Sequence, residues 1–222
     1  AATVGEEFGF LGALALAQLW QGPGTLPGDD AVRGLLGSKP VLAIVAEPTE
    51  LDLVVSHKGS MKWRMRVHGR ACHGAFPEQG VNALYIAARA ALAIEDLSRE
   101  LLSRYPDHPC GPPTLSLGTL RGGAGVNLVP DLAVLELERR LLPEESPAEA
   151  RAEMIERIAA ACGDARLEHD APFSDTYGLP DGTHDPAAAP WVVALERVAT
   201  TRGAGRRVAA RYGTNAGVYA AA

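Results

Sequence analysis

Two adjacent acids, Glu6 and Glu7, are the first residues of this chain whose types suit catalysis. Neighbouring carboxylates point in different directions. One can therefore hold a metal ion while the other reaches a metal-bound water as general base. Acids also favour a helix N-terminus for electrostatic reasons alone, and the dipeptide by itself fits that plainer reading better. Glu47 follows the apolar run Val41 to Ala46 and precedes Pro48 and Thr49. Ligands in α/β domains sit at the carboxyl ends of parallel strands, so Glu47 reads as a metal ligand or as a solvated loop acid. His73 lies among small residues in Gly69-Arg70-Ala71-Cys72-His73-Gly74. A histidine at a strand end can donate a hydrogen bond into a cleft, although a lone histidine is more often structural. His57 and His68 are weaker candidates, and His68 falls on the polar register of its strand. Cys72 beside His73 does not make a nucleophile–base pair, because strand neighbours point to opposite faces. Asn127 follows the flexible turn Gly122 to Gly125, where Gly and Asn are routine. Arg140 ends the strand containing Glu138-Arg139-Arg140, and a strand-end arginine suits a carboxylate by bidentate pairing.

The elements that must position these residues are legible in the patterning. Residues 8–20 place Phe8, Leu11, Leu14, Leu16 and Leu19 among alanines at mostly helical spacing. Gln21 to Asp30 is rich in Gly and Pro and reads as loop. Val41 to Ala46 is wholly apolar, which predicts a buried, parallel strand. Leu51 to Ser56 and Met61 to Val67 predict strands, the second alternating Met61, Trp63, Met65, Val67 with Lys62, Arg64, Arg66. A long helix follows over Asn82 to Arg104, with Asn82 near its start. Strands are expected at Leu115 to Leu120 and Ala133 to Leu137. Ser146-Pro147 with Glu149 opens a second helix, which stops at Gly163. Arg166 to His169 predicts a short strand, Asp170 to Ala188 a loop, Pro190 to Thr201 a helix and Arg207 to Ala210 a last strand. The stretch 59–170 thus reads β-α-β-β-α-β, the ferredoxin-like order, inside a split α/β domain formed by 1–58 and 171–222.

Composition narrows the function classes. The 222 residues carry a net charge of −6, with 47% hydrophobic and 22% charged residues. That is a globular composition, and the acidic balance excludes a nucleic-acid binder that must neutralise phosphates. The apolar stretch Phe8 to Trp20 is too short to span a bilayer. Cys72, Cys110 and Cys162 are widely spaced and odd in number, which argues against a disulfide framework and a thiolate zinc site. A cytoplasmic location is expected.

Taken in order, the segments GEEFGFLGA, AEPTEL, HKGSMKWRMRVHGRACHGAFPEQGVNAL, GGAGVNLVPD, ERRLLPEE and YGTNAGVYA resemble the M20 metallopeptidase family from about Thr3 to Ala220. That family includes acetylornithine deacetylase, succinyl-diaminopimelate desuccinylase, aminoacylase and carboxypeptidases. The most specific stretch, GRACHGAFPEQGVNAL, is similar to the family's lid signature. The resemblance implies a partial parallel-sheet zinc-hydrolase domain with an inserted ferredoxin-like lid and dimerisation domain. It implies Glu6 as general base, Glu7 and Glu47 as ligands to two Zn²⁺ ions (Co²⁺ or Mn²⁺ being alternatives), and His73 as oxyanion donor across a homodimer. Asn127 and Arg140 are implied as substrate contacts, Arg140 for a carboxylate, and Gly213-Thr214 as a substrate-lining loop.

The activity so implied is deacylation of an N-acyl amino acid by metal-activated water. The alternatives are an M20 dipeptidase or carboxypeptidase, and a non-catalytic dimerisation or binding module. The family's His-x-Asp motif, its bridging acid and its final histidine ligand have no counterpart in these residues. The expectation is therefore a piece lacking both termini that by itself binds zinc poorly and is inactive, its full-length parent being the hydrolase. Asn215 stands where the family commonly has Asp, and the stretch from Glu7 to Glu47 is long.

Overall fold

The computed structural model describes residues 11–21 and 42–221, which divide into two compact units. One unit comprises Ser60–Leu141 and Glu145–Asp175; the other includes the chain on either side, up to Gly59 and from Thr176, together with Leu142–Glu144.

Alternation builds the first unit. Strand β2 (Gly59–His68) buries Met61, Trp63, Met65 and Val67 and leaves Lys62, Arg64 and Arg66 half-buried on its other face. Strand β6 (Leu132–Leu141) buries Ala133, Leu135, Leu137 and Leu141, with Glu136, Glu138 and Arg140 on the polar side. With β4 (Thr114–Gly122) and β7 (Arg166–His169) they form a sheet in the order β4-β6-β2-β7, and the short β8 (Ser174–Thr176) also pairs with β2. Helices α2 (Ala83–Ser103) and α3 (Pro147–Cys162) close the apolar side. Helix α2 contributes Ala83, Ile86, Ala87, Ala90, Ile94, Leu97 and Leu101, a stripe at intervals of three and four. Helix α3 contributes Ala150, Met154, Ile158 and Cys162 at intervals of four.

Both helix starts follow from single side chains. Asn82 accepts hydrogen bonds from the Leu84 and Tyr85 N–H groups, and Ser146 accepts one from the Glu149 N–H with Pro147 in the first turn. Gly163 ends α3 at φ +60°, a conformation that favours glycine.

In the second unit, β1 (Leu53–His57) pairs in parallel with β9 (Arg207–Ala210), Leu53 opposite Arg207 and His57 opposite Ala210. Helix α4 (Ala189–Thr200) lies against β1. Helix α1 (Leu11–Gln21) buries Ala13 and Ala17 with Val218 of α5 (Asn215–Ala220).

Three local expectations change. The described residues 42–46 of the apolar run are not a strand, and Leu42 and Ile44 are 36% and 66% exposed. An apolar run becomes a buried strand only where neighbouring strands complete its hydrogen bonds, and none pairs with it among the described residues. The stretch from Asp170 holds β8, because the Phe173 N–H donates to the Lys62 carbonyl at 2.9 Å and extends the chain beside β2. Helix α5, not expected from the sequence, is one short turn capped by Thr214.

Candidate functional site

The segment from Gly69 to Asn82 folds as a closed excursion between β2 and α2. Arg70 and Val81 exchange both backbone hydrogen bonds at 2.9 Å, and Arg70 Nε donates to the Gln79 carbonyl at 2.8 Å. Within it, β3 (Cys72–His73) pairs antiparallel with β5 (Leu128–Val129), His73 opposite Leu128. The Gly74 N–H donates to the Asn127 carbonyl at 2.7 Å, and a Cβ at position 74 would lie 2.9 Å from that oxygen. Glycine is therefore what lets the two chains approach, and the pairing brings His73 and Asn127 to one exposed tip.

The His73 ring has a defined orientation. The Ala75 N–H donates to Nδ1 at 3.1 Å, so Nδ1 is an acceptor and the neutral ring carries its hydrogen on Nε2. The Phe76 ring lies 6.3 Å away at 55°. The tip thus presents an N–H donor beside apolar surface, chemistry suited to an oxyanion.

Arg140 belongs to a different constellation. Its guanidinium pairs with Glu138 at 2.6 Å, and Glu138 also faces Lys62 at 3.8 Å. It shares the polar face of the sheet with Arg64, which donates to Glu136 at 2.7 Å and holds that carboxyl below its usual range. Arg139 points the other way. It is 1% exposed, pairs with Glu145 at 2.7 Å and donates to the Arg140 carbonyl.

In the second unit, the carboxyl ends of β1 and β9 coincide, and the loop after β9 folds back on His57. His57 is fully buried, with Nδ1 at 2.9 Å from the Lys58 carbonyl and Nε2 at 3.2 Å from Thr214 Oγ1. Burial pushes its pKa down. Thr214 is 5% exposed, and its hydroxyl accepts from the Ala216 N–H at 3.1 Å. Its side chain is thus turned inward. A Cβ at Gly213 would lie 3.0 Å from the Lys58 carbonyl, and one at Gly217 would lie 3.0 Å from His57 Cε1. The signal for this cluster was the sequence His57-Lys58-Gly59 at the end of a strand, which pattern alone ranked below His73.

Glu47 is half-buried, and its carbonyl accepts from the Thr49 N–H at 2.8 Å. Glu6 and Glu7 lie outside the described residues. Among the described residues no three His, Cys, Asp or Glu groups gather as a metal cluster. Glu47 supplies one oxygen donor of a kind divalent metals accept, which cannot by itself hold an ion.

A family model described as a peptidase dimerisation domain matches residues 55–166, half of the chain. Acetylornithine deacetylase of Edwardsiella ictaluri is 32% identical over 166 residues, which cover 72% of this chain and 42% of that protein. A peptidase M20 domain-containing protein of Schizosaccharomyces pombe is 32% identical over 120 residues, 53% of this chain and 24% of its own length. The chain spans less than half the length of these curated relatives. Among solved structures, aminopeptidase PepT of Bacillus cereus superposes with a TM-score of 0.65 at 25% identity, covering 99% of this chain and 52% of that one.

Proposed function

Since the chain belongs to the M20 metallopeptidase family, we propose that it is part of a metal-dependent hydrolase of amide bonds whose substrate is an N-acyl amino acid. The relatives named acetylornithine deacetylase support the substrate class. The observation that carries the reading is the exposed His73 ring, whose Nδ1 accepts from the Ala75 N–H so that its hydrogen is on Nε2, on the tip that the Gly74–Asn127 backbone bond closes.

In this reading 59–170 is the lid and dimerisation domain, flanked by the catalytic parts 1–58 and 171–222. His73 donates its Nε2–H to the tetrahedral oxyanion of a partner copy, and Asn127 steadies the same substrate. Arg140 takes the substrate carboxylate, which requires it to release Glu138. Gly213 and Thr214 line the site through their backbone, the Thr214 hydroxyl being engaged. Glu6 is the general base, and Glu7 and Glu47 are metal ligands. Two bound Zn²⁺ ions, or Co²⁺ or Mn²⁺, would lower the pKa of a water and polarise the carbonyl. Of these three acids, Glu47 lies among the described residues. No described helix is long and apolar enough to cross a membrane; a cytoplasmic homodimer is the expected form.

The test is hydrolysis of N-acetylornithine and other N-acyl amino acids, beside dipeptides, by the metal-loaded whole hydrolase of which this chain is a part. Removing one oxyanion donor lowers kcat about 10²–10³-fold, so His73→Ala should show that loss with its circular dichroism unchanged. Equal turnover by His73→Ala and the parent sinks the reading. Preference for dipeptides would favour a peptidase, a reading that the likeness to aminopeptidase PepT keeps in view.

A further inference from the structure

We propose that His57 is a positioning residue that holds the Gly213-Thr214 loop through a hydrogen bond of fixed direction. The direction follows from the partners. The Lys58 carbonyl can only accept, and it lies 2.9 Å from Nδ1, so Nδ1 carries the ring hydrogen. In the neutral ring Nε2 is then an acceptor. Thr214 Oγ1, 3.2 Å away, must be the donor. The same oxygen accepts from the Ala216 N–H at 3.1 Å. The Thr214 hydroxyl is thus held from two sides, giving its hydrogen to His57 and taking one from the first turn of α5.

The surroundings admit little other arrangement. His57 is 0% and Thr214 5% exposed, so neither can exchange its partner for bulk water. Gly217 brings the backbone of α5 against the ring, 3.0 Å separating a Cβ there from His57 Cε1. Gly213 brings the loop against the Lys58 carbonyl, the same group that orients the ring. One backbone oxygen therefore sets the tautomer of His57, the tautomer sets the Thr214 hydroxyl, and the hydroxyl sets where β9 hands the chain to α5. That hand-over sits at the carboxyl ends of two parallel strands, where α/β proteins bind ligands. The role in catalysis rests on the hydrolase reading above; the hydrogen-bond direction does not.

The test has a spectroscopic and a kinetic arm on the same metal-loaded protein. Nitrogen chemical shifts should show His57 protonated at Nδ1 and bare at Nε2, with the Nε2 signal moving in Thr214→Val and unmoved in Thr214→Ser. Thr214→Ser, which keeps the hydroxyl, should retain at least about threefold more kcat/KM than Thr214→Val. Thr214→Val and His57→Phe should each lower it about tenfold, mainly through KM, and the double variant should lose no more than the worse single one. His57→Phe leaves the Ala216 cap in place, which separates loop orientation from helix capping. If His57→Phe does not fold, Thr214→Val against Thr214→Ser carries the comparison. A hydrogen on Nε2, additive losses, or full activity in Thr214→Val would each overturn the proposal. Absence of hydrolysis in the parent protein with the Nδ1–H signature intact would refute the hydrolase reading and the catalytic role together, leaving the bond as a fold element.

Discussion

At the scale of single residues, two histidines give the fold a pH dependence of definite sign. Burial pushes the pKa of His57 down; burial first and the Arg151 cation second do the same for His169. Both ring nitrogens of His169 are buried and have no hydrogen-bond partner among the described residues. A group whose folded pKa is depressed binds protons more readily in the unfolded chain. Stability is then complete above about pH 6.5 and is lost as pH falls from there toward the folded values. Urea midpoints should decline on acidification within that window, and His57→Gln should flatten the slope. The depressed carboxyls of Glu136, held by Arg64, and Glu153, held by Arg104, act lower, from about pH 4.3 downward, so the two contributions separate in a titration. A midpoint flat between pH 7 and 5 would contradict the histidine assignment.

At the scale of elements, the end of β6 and the start of α3 depend on a buried charge. Arg139 sits on the register that β6 otherwise fills with Ala133, Leu135, Leu137 and Leu141. Its Nε has no partner among the described residues, so the pair with Glu145 carries most of its compensation. Removing one partner of such a pair strands the other charge. Glu145→Ala should therefore cost about 3 kcal/mol in urea unfolding, whereas Arg139→Met should cost less because it removes the buried charge itself. Ser146→Ala should cost about 1 kcal/mol through the lost cap of α3. Met154→Ala should cost about 3 kcal/mol by opening a cavity between α3 and the sheet. Equal costs for the two ion-pair variants would show that the pair contributes as an exposed one does.

At the scale of the whole molecule, the match to a peptidase dimerisation domain makes association the property to measure. Among the described residues strand β4 pairs only with β6 in its sheet, which leaves its other edge for a further strand. The outer face of α2 exposes Tyr85, Leu92 and Leu102 at 70%, 60% and 53%. Sedimentation should show a dimer, and Leu92→Glu should weaken it at least about tenfold if α2 lies in the interface. A monomer at all concentrations would remove the cross-subunit role of His73.

Local chemistry determined much of this protein from the sequence alone. The alternation in 61–67, the stripe of α2, the caps Asn82 and Ser146 and the stop at Gly163 depend on neighbours within a few residues, and they stand where the pattern placed them. The residues around His73 were legible as a unit through their resemblance to the family's lid signature. What the pattern left open needed contacts across the chain. Whether Val41 to Ala46 is a strand depends on partners far in sequence, and the described part is not one. Whether Glu6, Glu7 and Glu47 converge is a question of the same kind, and Glu6 and Glu7 lie outside the described residues. His57 and Thr214 are 157 positions apart, and no periodicity links them. Only the parallel pairing of β1 with β9 brings them together, because a hydrogen bond senses distance in space and a sequence pattern senses distance along the chain.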